Sequence, residues 1–284
     1  MPQGVVAGLW RYPVKSMRGE GVSALALTER GARGDRGWAV IDETSGKVAS
    51  AKLPRLWGRL LTCRATIASP DGEPGTAPEV EITLPDGQTV TAGDARADAA
   101  LSALAGRPVR LSSQPPELAE IERYWPDIEG MAQRDVETSN AIGAGAPPGT
   151  FFDFAPVHLL TTVSLARLRA LYPSGYTDVR RFRPNLLIAP LRDEEGFVEN
   201  DWVGRVLLIG DTLRLRIITP TPRCVVPTLP QADIPNDIGI LRTIAAQNRP
   251  PIPIRGGAKQ PSLGVYAVVE QPGVVRLEDA VRFA

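Results

Sequence analysis

Val206-Leu-Leu-Ile209, Gly210-Asp211, Thr212-Leu-Arg-Leu-Arg-Ile217 is the stretch that decides the fold class. An apolar run meets a tight turn, and the chain then alternates apolar and charged residues. Period-two alternation means a strand with one face buried and one face in water. The alternation runs into Pro220-Thr-Pro-Arg-Cys-Val-Val226, where two prolines end it and leave Cys224 at the exit of a strand. A sheet with a loop full of chemistry at its end is the expectation from this stretch.

Other segments repeat the pattern. Val22 to Leu27 and Trp38 to Ile41 read as strands, and Asp42 to Lys47 as a turn with Gly46 at the tight position. Val80 to Leu84 and Gln88 to Thr91 flank Pro85-Asp86-Gly87, a hairpin signal. Ser69 to Glu79, rich in proline and glycine, reads as a loop. Asp94 caps a helix from Ala95 to Ala105 that Gly106 ends. Pro115 to Thr150 has no clear period and reads as an irregular connector with at most one short helix. Val157 to Leu160 reads as a strand, followed by a helix that Thr162 or Ser164 caps and that stops before Pro173. Asp237 to Gln247 reads as helical. Val265 to Val269 and Val274 to Leu277 read as a hairpin across Glu270-Gln-Pro-Gly273.

Composition fits that picture. Glycine and proline number 27 each among 284 residues, favouring turns and short elements. Hydrophobic residues at 43% support a sizeable core. Lys+Arg and Asp+Glu are both 32, a balance that argues against nucleic acid or an anionic membrane as the main partner. The longest charge-free apolar stretch, Phe154 to Ala166, is too short to span a bilayer. No signal peptide is read at the N-terminus, so a cytoplasmic location and free thiols are expected. Two cysteines cannot supply a four-thiolate cluster, and a single histidine excludes multi-histidine zinc sites.

Four segments carry candidate chemistry. Cys224 follows Arg223, whose guanidinium would favour the thiolate if it folds toward the sulfur, and thiolate ligates soft metals. A small packing residue at a strand end is the bland alternative. Cys63, inside Leu60-Leu-Thr-Cys-Arg-Ala65, reads as core. Arg180-Arg-Phe-Arg-Pro-Asn185 presents planar forks to a phosphate or carboxylate, or else a solvated loop. Tyr12-Pro-Val-Lys-Ser16 and Gly31 to Trp38 each set a cation beside small or rigid residues, as anion-binding loops do. His158, among apolar neighbours, reads as a satisfied core histidine.

Taken in order, Leu9-Trp-Arg-Tyr-Pro-Val-Lys-Ser-Met17, Gly34-Asp-Arg-Gly-Trp38, Phe182-Arg-Pro-Asn185, Ile209-Gly-Asp211, Arg223-Cys224 and Gly264-Val-Tyr266 resemble the MOSC family, named for the C-terminal domain of molybdenum-cofactor sulfurase. The resemblance runs from about Gly4 to the C-terminus and reaches the amidoxime-reducing group within it. It implies a β-rich α+β protein in which an N-terminal β-barrel-like domain, residues 1–111, packs on a C-terminal MOSC β-barrel, residues 151–284, with 112–150 connecting them.

The same resemblance implies a molybdenum cofactor, molybdenum on molybdopterin, with Cys224 as metal ligand and catalytic residue. Lys15, Ser16, Arg36, Arg183, Asn185 and Tyr266 map onto cofactor-binding positions. Phe154 and Ala155 stand where relatives carry small hydroxyl residues, leaving backbone contacts there. The implied activity is reduction of N-hydroxylated small molecules with electrons from an external ferredoxin- or cytochrome-type donor. The rivals are a sulfur-transfer or cofactor-carrier protein using a Cys224 persulfide, and a non-catalytic interaction module that keeps the fold.

Overall fold

The computed structural model describes residues 3–68 and 78–284; the expected loop at Ser69 to Glu79 lies almost wholly outside them. Val206–Ile209 and Leu213–Pro222 form the antiparallel pair expected from the opening stretch, in register from Val206 opposite Arg216 to Ile209 opposite Leu213. Leu213, Leu215 and Ile217 are buried and Arg214 and Arg216 face outward, as the alternation requires.

That pair belongs to a closed sheet. Around it run Gly4–Arg11, Leu186–Pro190, Val157–Thr161, Ser262–Gln271, Leu213–Pro222, Val206–Ile209 and Ala280–Phe283, which pairs back onto Gly4–Arg11. Closure removes unpaired edges. Its interior is filled by aliphatic side chains, among them Val6, Leu9, Leu159, Leu186, Leu215, Ile217, Val265 and Ala267. Val157–Thr161 and Leu186–Pro190 run parallel. A parallel pair needs a crossover, and the helix Thr162–Leu171 lies in it. The chain's first strand thus completes a barrel built otherwise from residues beyond 156.

Residues 38–68 and 78–112 pack around a separate core that includes Val40, Trp57, Leu60, Cys63, Ile82 and Leu101. It comprises the sheet Arg64–Ile67, Val80–Thr83, Thr89–Thr91 and the pair Ala39–Asp42 with Val109–Ser112. The helix Ala95–Ala105 has the expected ends: Asp94 accepts from the Arg96 N–H, and Gly106 turns left-handed at φ 68°. The molecule is β-rich α+β, with four α-helices among the described residues, none long and apolar enough to cross a membrane.

Three local expectations change. The Thr162–Leu171 helix is capped by Thr161, whose hydroxyl accepts from the Ser164 N–H, one residue before the expected cap. The stretch 115–150 is not irregular: Glu120–Trp125 and Val136–Ala141 form an antiparallel hairpin. The C-terminal hairpin does not form. Ser262–Gln271 has both edges occupied, by Val157–Thr161 and Leu213–Pro222, so Gly273–Arg276 pairs with Ala24–Thr28 instead.

Candidate functional site

Where the barrel meets the 38–112 unit, segments far apart in sequence line one cleft. Its walls include Lys15, Ser16, Arg36, Arg183, Cys224 and Tyr266. Three of these, Ser16, Arg36 and Arg183, hold positive φ angles of 64°, 47° and 55°. Few non-glycine residues adopt that region, and strained backbone concentrates where a site must be shaped.

Lys15 is buried. Its ammonium donates to the Phe151 carbonyl at 2.8 Å and to the Asp153 carboxylate at 2.7 Å. Lys52 reaches the other Asp153 oxygen at 3.0 Å. Burial lowers the Lys15 pKa to about 8, Asp153 opposing it and Lys52 adding to it. Burial alone would raise Asp153, but the two ammonium groups hold its carboxyl far below the usual carboxylate range.

Arg36 and Arg183 share the ring of Tyr12, their guanidinium carbons 4.6 and 4.3 Å from its centroid. Burial disfavours the Arg36 charge, yet its ion pair with Asp35 raises its pKa above the ordinary arginine value. Among the described residues Arg183 forms no such ion pair: it donates to the Met17 carbonyl at 2.6 Å, and burial together with Arg36 lowers it to about 10. The Ser16 hydroxyl accepts from the Ala51 N–H at 3.0 Å, which leaves its own proton free to donate.

Cys224 is a free, half-buried cysteine in the loop just beyond Leu213–Pro222. The buried guanidinium of Arg223 spends its donors on the Leu263 and Phe182 carbonyls and on His158 Nε2, and among the described residues it makes no hydrogen bond to the Cys224 sulfur. A fully buried guanidinium must spend its donors on acceptors, and those carbonyls supply them. Burial and Arg223 push the His158 pKa well below its ordinary value, so the ring is neutral. His158 is therefore satisfied, as expected, but it also lines the cleft.

Not every nominated residue reaches the cleft. Asn185 is buried behind it: its side chain accepts from the His158 N–H and donates to Asp35 and to the Trp10 carbonyl. Phe154 lines an adjoining cavity, its ring 5.7 Å from Tyr266, and Ala155 is buried and lines neither. The cleft adds residues the sequence did not point to, chiefly Lys52, Asp153, Phe151 and His158. Asp153 immediately precedes Phe154 and Ala155, the two positions taken from the resemblance.

In sum the walls carry more cation than anion. Lys15, Lys52, Arg36 and Arg183 face one lining carboxylate, Asp153, beside the sulfur of Cys224. An excess of buried positive charge is costly unless an anion offsets it. An anionic ligand that also offers a soft metal to a thiolate fits this donor set.

The sequence model of the MOSC N-terminal beta barrel domain matches residues 3–102, and that of the MOSC domain matches residues 147–282. The chain is similar to mitochondrial amidoxime-reducing component 1 of Homo sapiens, 27% identical over 98% of this chain and 82% of that protein. It is 28% identical to the Mus musculus protein of the same name, with the same coverage. A solved structure of the YuaD protein from Bacillus subtilis aligns over 99% of this chain and 94% of that one, at 12% identity and a TM-score of 0.45. With both domain models matched in order across most of its length, the chain belongs to the MOSC-domain family, its MOSC domain preceded by a MOSC N-terminal β-barrel domain.

Proposed function

We propose that this protein is a molybdenum-cofactor-dependent reductase of N-hydroxylated compounds of the amidoxime type. One observation carries the reading: Lys15, Ser16, Arg36, Arg183 and Cys224, drawn from separate motifs, line a single cation-rich cleft. The names of the relatives support the reaction class.

Lys15, Arg36 and Arg183 would hold the phosphate of the cofactor, with the Ser16 hydroxyl donating beside them. Cys224 would ligate molybdenum, and the bound cofactor would supply the two-electron chemistry. The net reaction converts an amidoxime, two electrons and two protons into an amidine and water. Tyr266 lies on the same wall as Cys224. Burial, with Asp153 adding to it, pushes its phenol up to about 12, so at neutral pH it keeps its proton for a hydrogen bond to the substrate oxygen. Arg223 donates to His158 and to the Phe182 and Leu263 carbonyls, and so fixes the Cys224 loop.

Electrons come from a ferredoxin- or cytochrome-type donor, because two cysteines cannot bind a four-thiolate cluster of the chain's own. A reducing compartment such as the cytoplasm suits its two free thiols. The test is reduction of benzamidoxime by cofactor-loaded protein with reduced methyl viologen. Turnover with the dye, and none with NADH alone, is expected. No turnover, together with a persulfide on Cys224 after treatment with a cysteine desulfurase, would replace this reading with sulfur transfer.

A further inference from the structure

A second cavity of about 400 Å³ adjoins the cleft and shares Pro222, Arg223, Cys224 and Tyr266 with it. Its size suits a small organic molecule. The hairpin Glu120–Trp125 and Val136–Ala141 forms one wall, bringing Arg123 and Trp125 to a place no motif foretold. Trp125, Phe154 and Tyr266 line it with aromatic rings.

Its charge is one-sided. Arg123 and Arg255 both line it, and neither makes an ion pair among the described residues. The Arg123 guanidinium carbon lies 5.6 Å from the Trp125 ring centroid, and its buried Nε has no hydrogen-bond partner. Among the described residues the Arg255 guanidinium donates to the side chain of Gln260 alone, at 3.3 Å. Arg255 is exposed at the cavity's edge, where partial burial and the neighbouring Arg123 lower its pKa. The one carboxylate in the lining, Asp153, is already engaged by Lys15 and Lys52. Thr219, on the barrel wall, adds a buried hydroxyl without a partner.

We propose that this cavity is the substrate vestibule, and that Arg123 and Arg255 select flat aromatic substrates bearing an anionic group. The proposal rests on the reductase reading above. Aromatic walls take the ring by stacking, and two unpaired guanidiniums take a carboxylate or phosphate at its far end.

Binding is measured first with redox-inert probes, by quenching of tryptophan fluorescence in the full chain: 4-carbamoylbenzoate against benzamide. The carboxylate should bind about tenfold tighter, the usual size of one charge-assisted contact in a partly wet site. The advantage should shrink as salt rises. It should fall toward one in Arg123→Gln/Arg255→Gln and partly in Arg255→Gln alone, with thermal unfolding checked for each. Cofactor-loaded protein should then show a matching KM advantage for 4-carboxybenzamidoxime over benzamidoxime. Equal binding of the two probes, or a preference that survives the double variant, would overturn the proposal. If the arginine-dependent binding preference holds and neither amidoxime is reduced, the selection stands and the reductase reading fails.

Discussion

Asn185 donates its side-chain amide to the carboxylate of Asp35 at 3.1 Å, across 150 residues of sequence. This bond ties the Arg-Pro-Asn segment to the Asp-Arg segment. Asp35 in turn accepts from the Tyr12 N–H at 2.7 Å and pairs with Arg36. Asn185 thereby sets the positions of Arg36 and Arg183 without lining the cleft itself.

Replacing Asn185 by alanine should therefore cost stability. The change leaves the His158 N–H without its acceptor and a buried Asp35 with one donor fewer. Unsatisfied buried groups cost about 1–3 kcal/mol each. Urea unfolding should show a loss of that order, with an unchanged m-value. No loss would mean that the bond contributes nothing to holding the two motifs.

Gly264 should tolerate no side chain. Its φ is +77°, and a Cβ there would lie 2.5 Å from both His158 Nε2 and the Leu159 carbonyl oxygen. Gly264→Ala should lower the stability by about 1–3 kcal/mol from the backbone conformation alone and by more from the clash. A variant as stable as the parent in thermal unfolding would contradict the packing described around His158.

Anion binding should depend on pH through Lys15. Its folded pKa lies below the ordinary lysine value, at about 8. The ammonium is thus fully charged only below that pH, and its help to an anion is lost as pH rises through about 8. Sulfate, which does not titrate there, is a suitable probe. Its affinity, by calorimetry, should fall between about pH 7 and 9 in the parent, and the fall should flatten in Lys15→Met. An affinity that stays level to pH 9 in the parent would remove Lys15 from the anion site.

The fold and the site were legible to different degrees. The strand Leu213–Pro222 and the helix Ala95–Ala105 announce themselves through alternation and through Asp94 and Gly106, which are local signals. The hairpin at 120–141 was hidden because Val136–Ala141 is solvated on both faces and so shows no period. The pairing of Gly4–Arg11 with Leu186–Pro190 joins distant segments that no local pattern connects. The resemblance pointed to Lys15, Arg36, Arg183 and Cys224, which share the cleft. Asn185 escaped correct placement because an amide that braces a loop and one that reads a ligand look alike in sequence. Lys52, Asp153 and His158 stood in segments whose character gave no hint of shared charge.

The central claim is that Cys224 is the protein's ligand to molybdenum. Elemental analysis of protein purified from a host that makes the cofactor tests it most directly, run beside Cys224→Ser. A hydroxyl is a poor substitute for a thiolate toward this metal. The account predicts about one molybdenum per chain in the parent, and in the variant either loss of the metal or an altered spectrum with lost turnover. Molybdenum retained by Cys224→Ser with unchanged spectrum and turnover would contradict it.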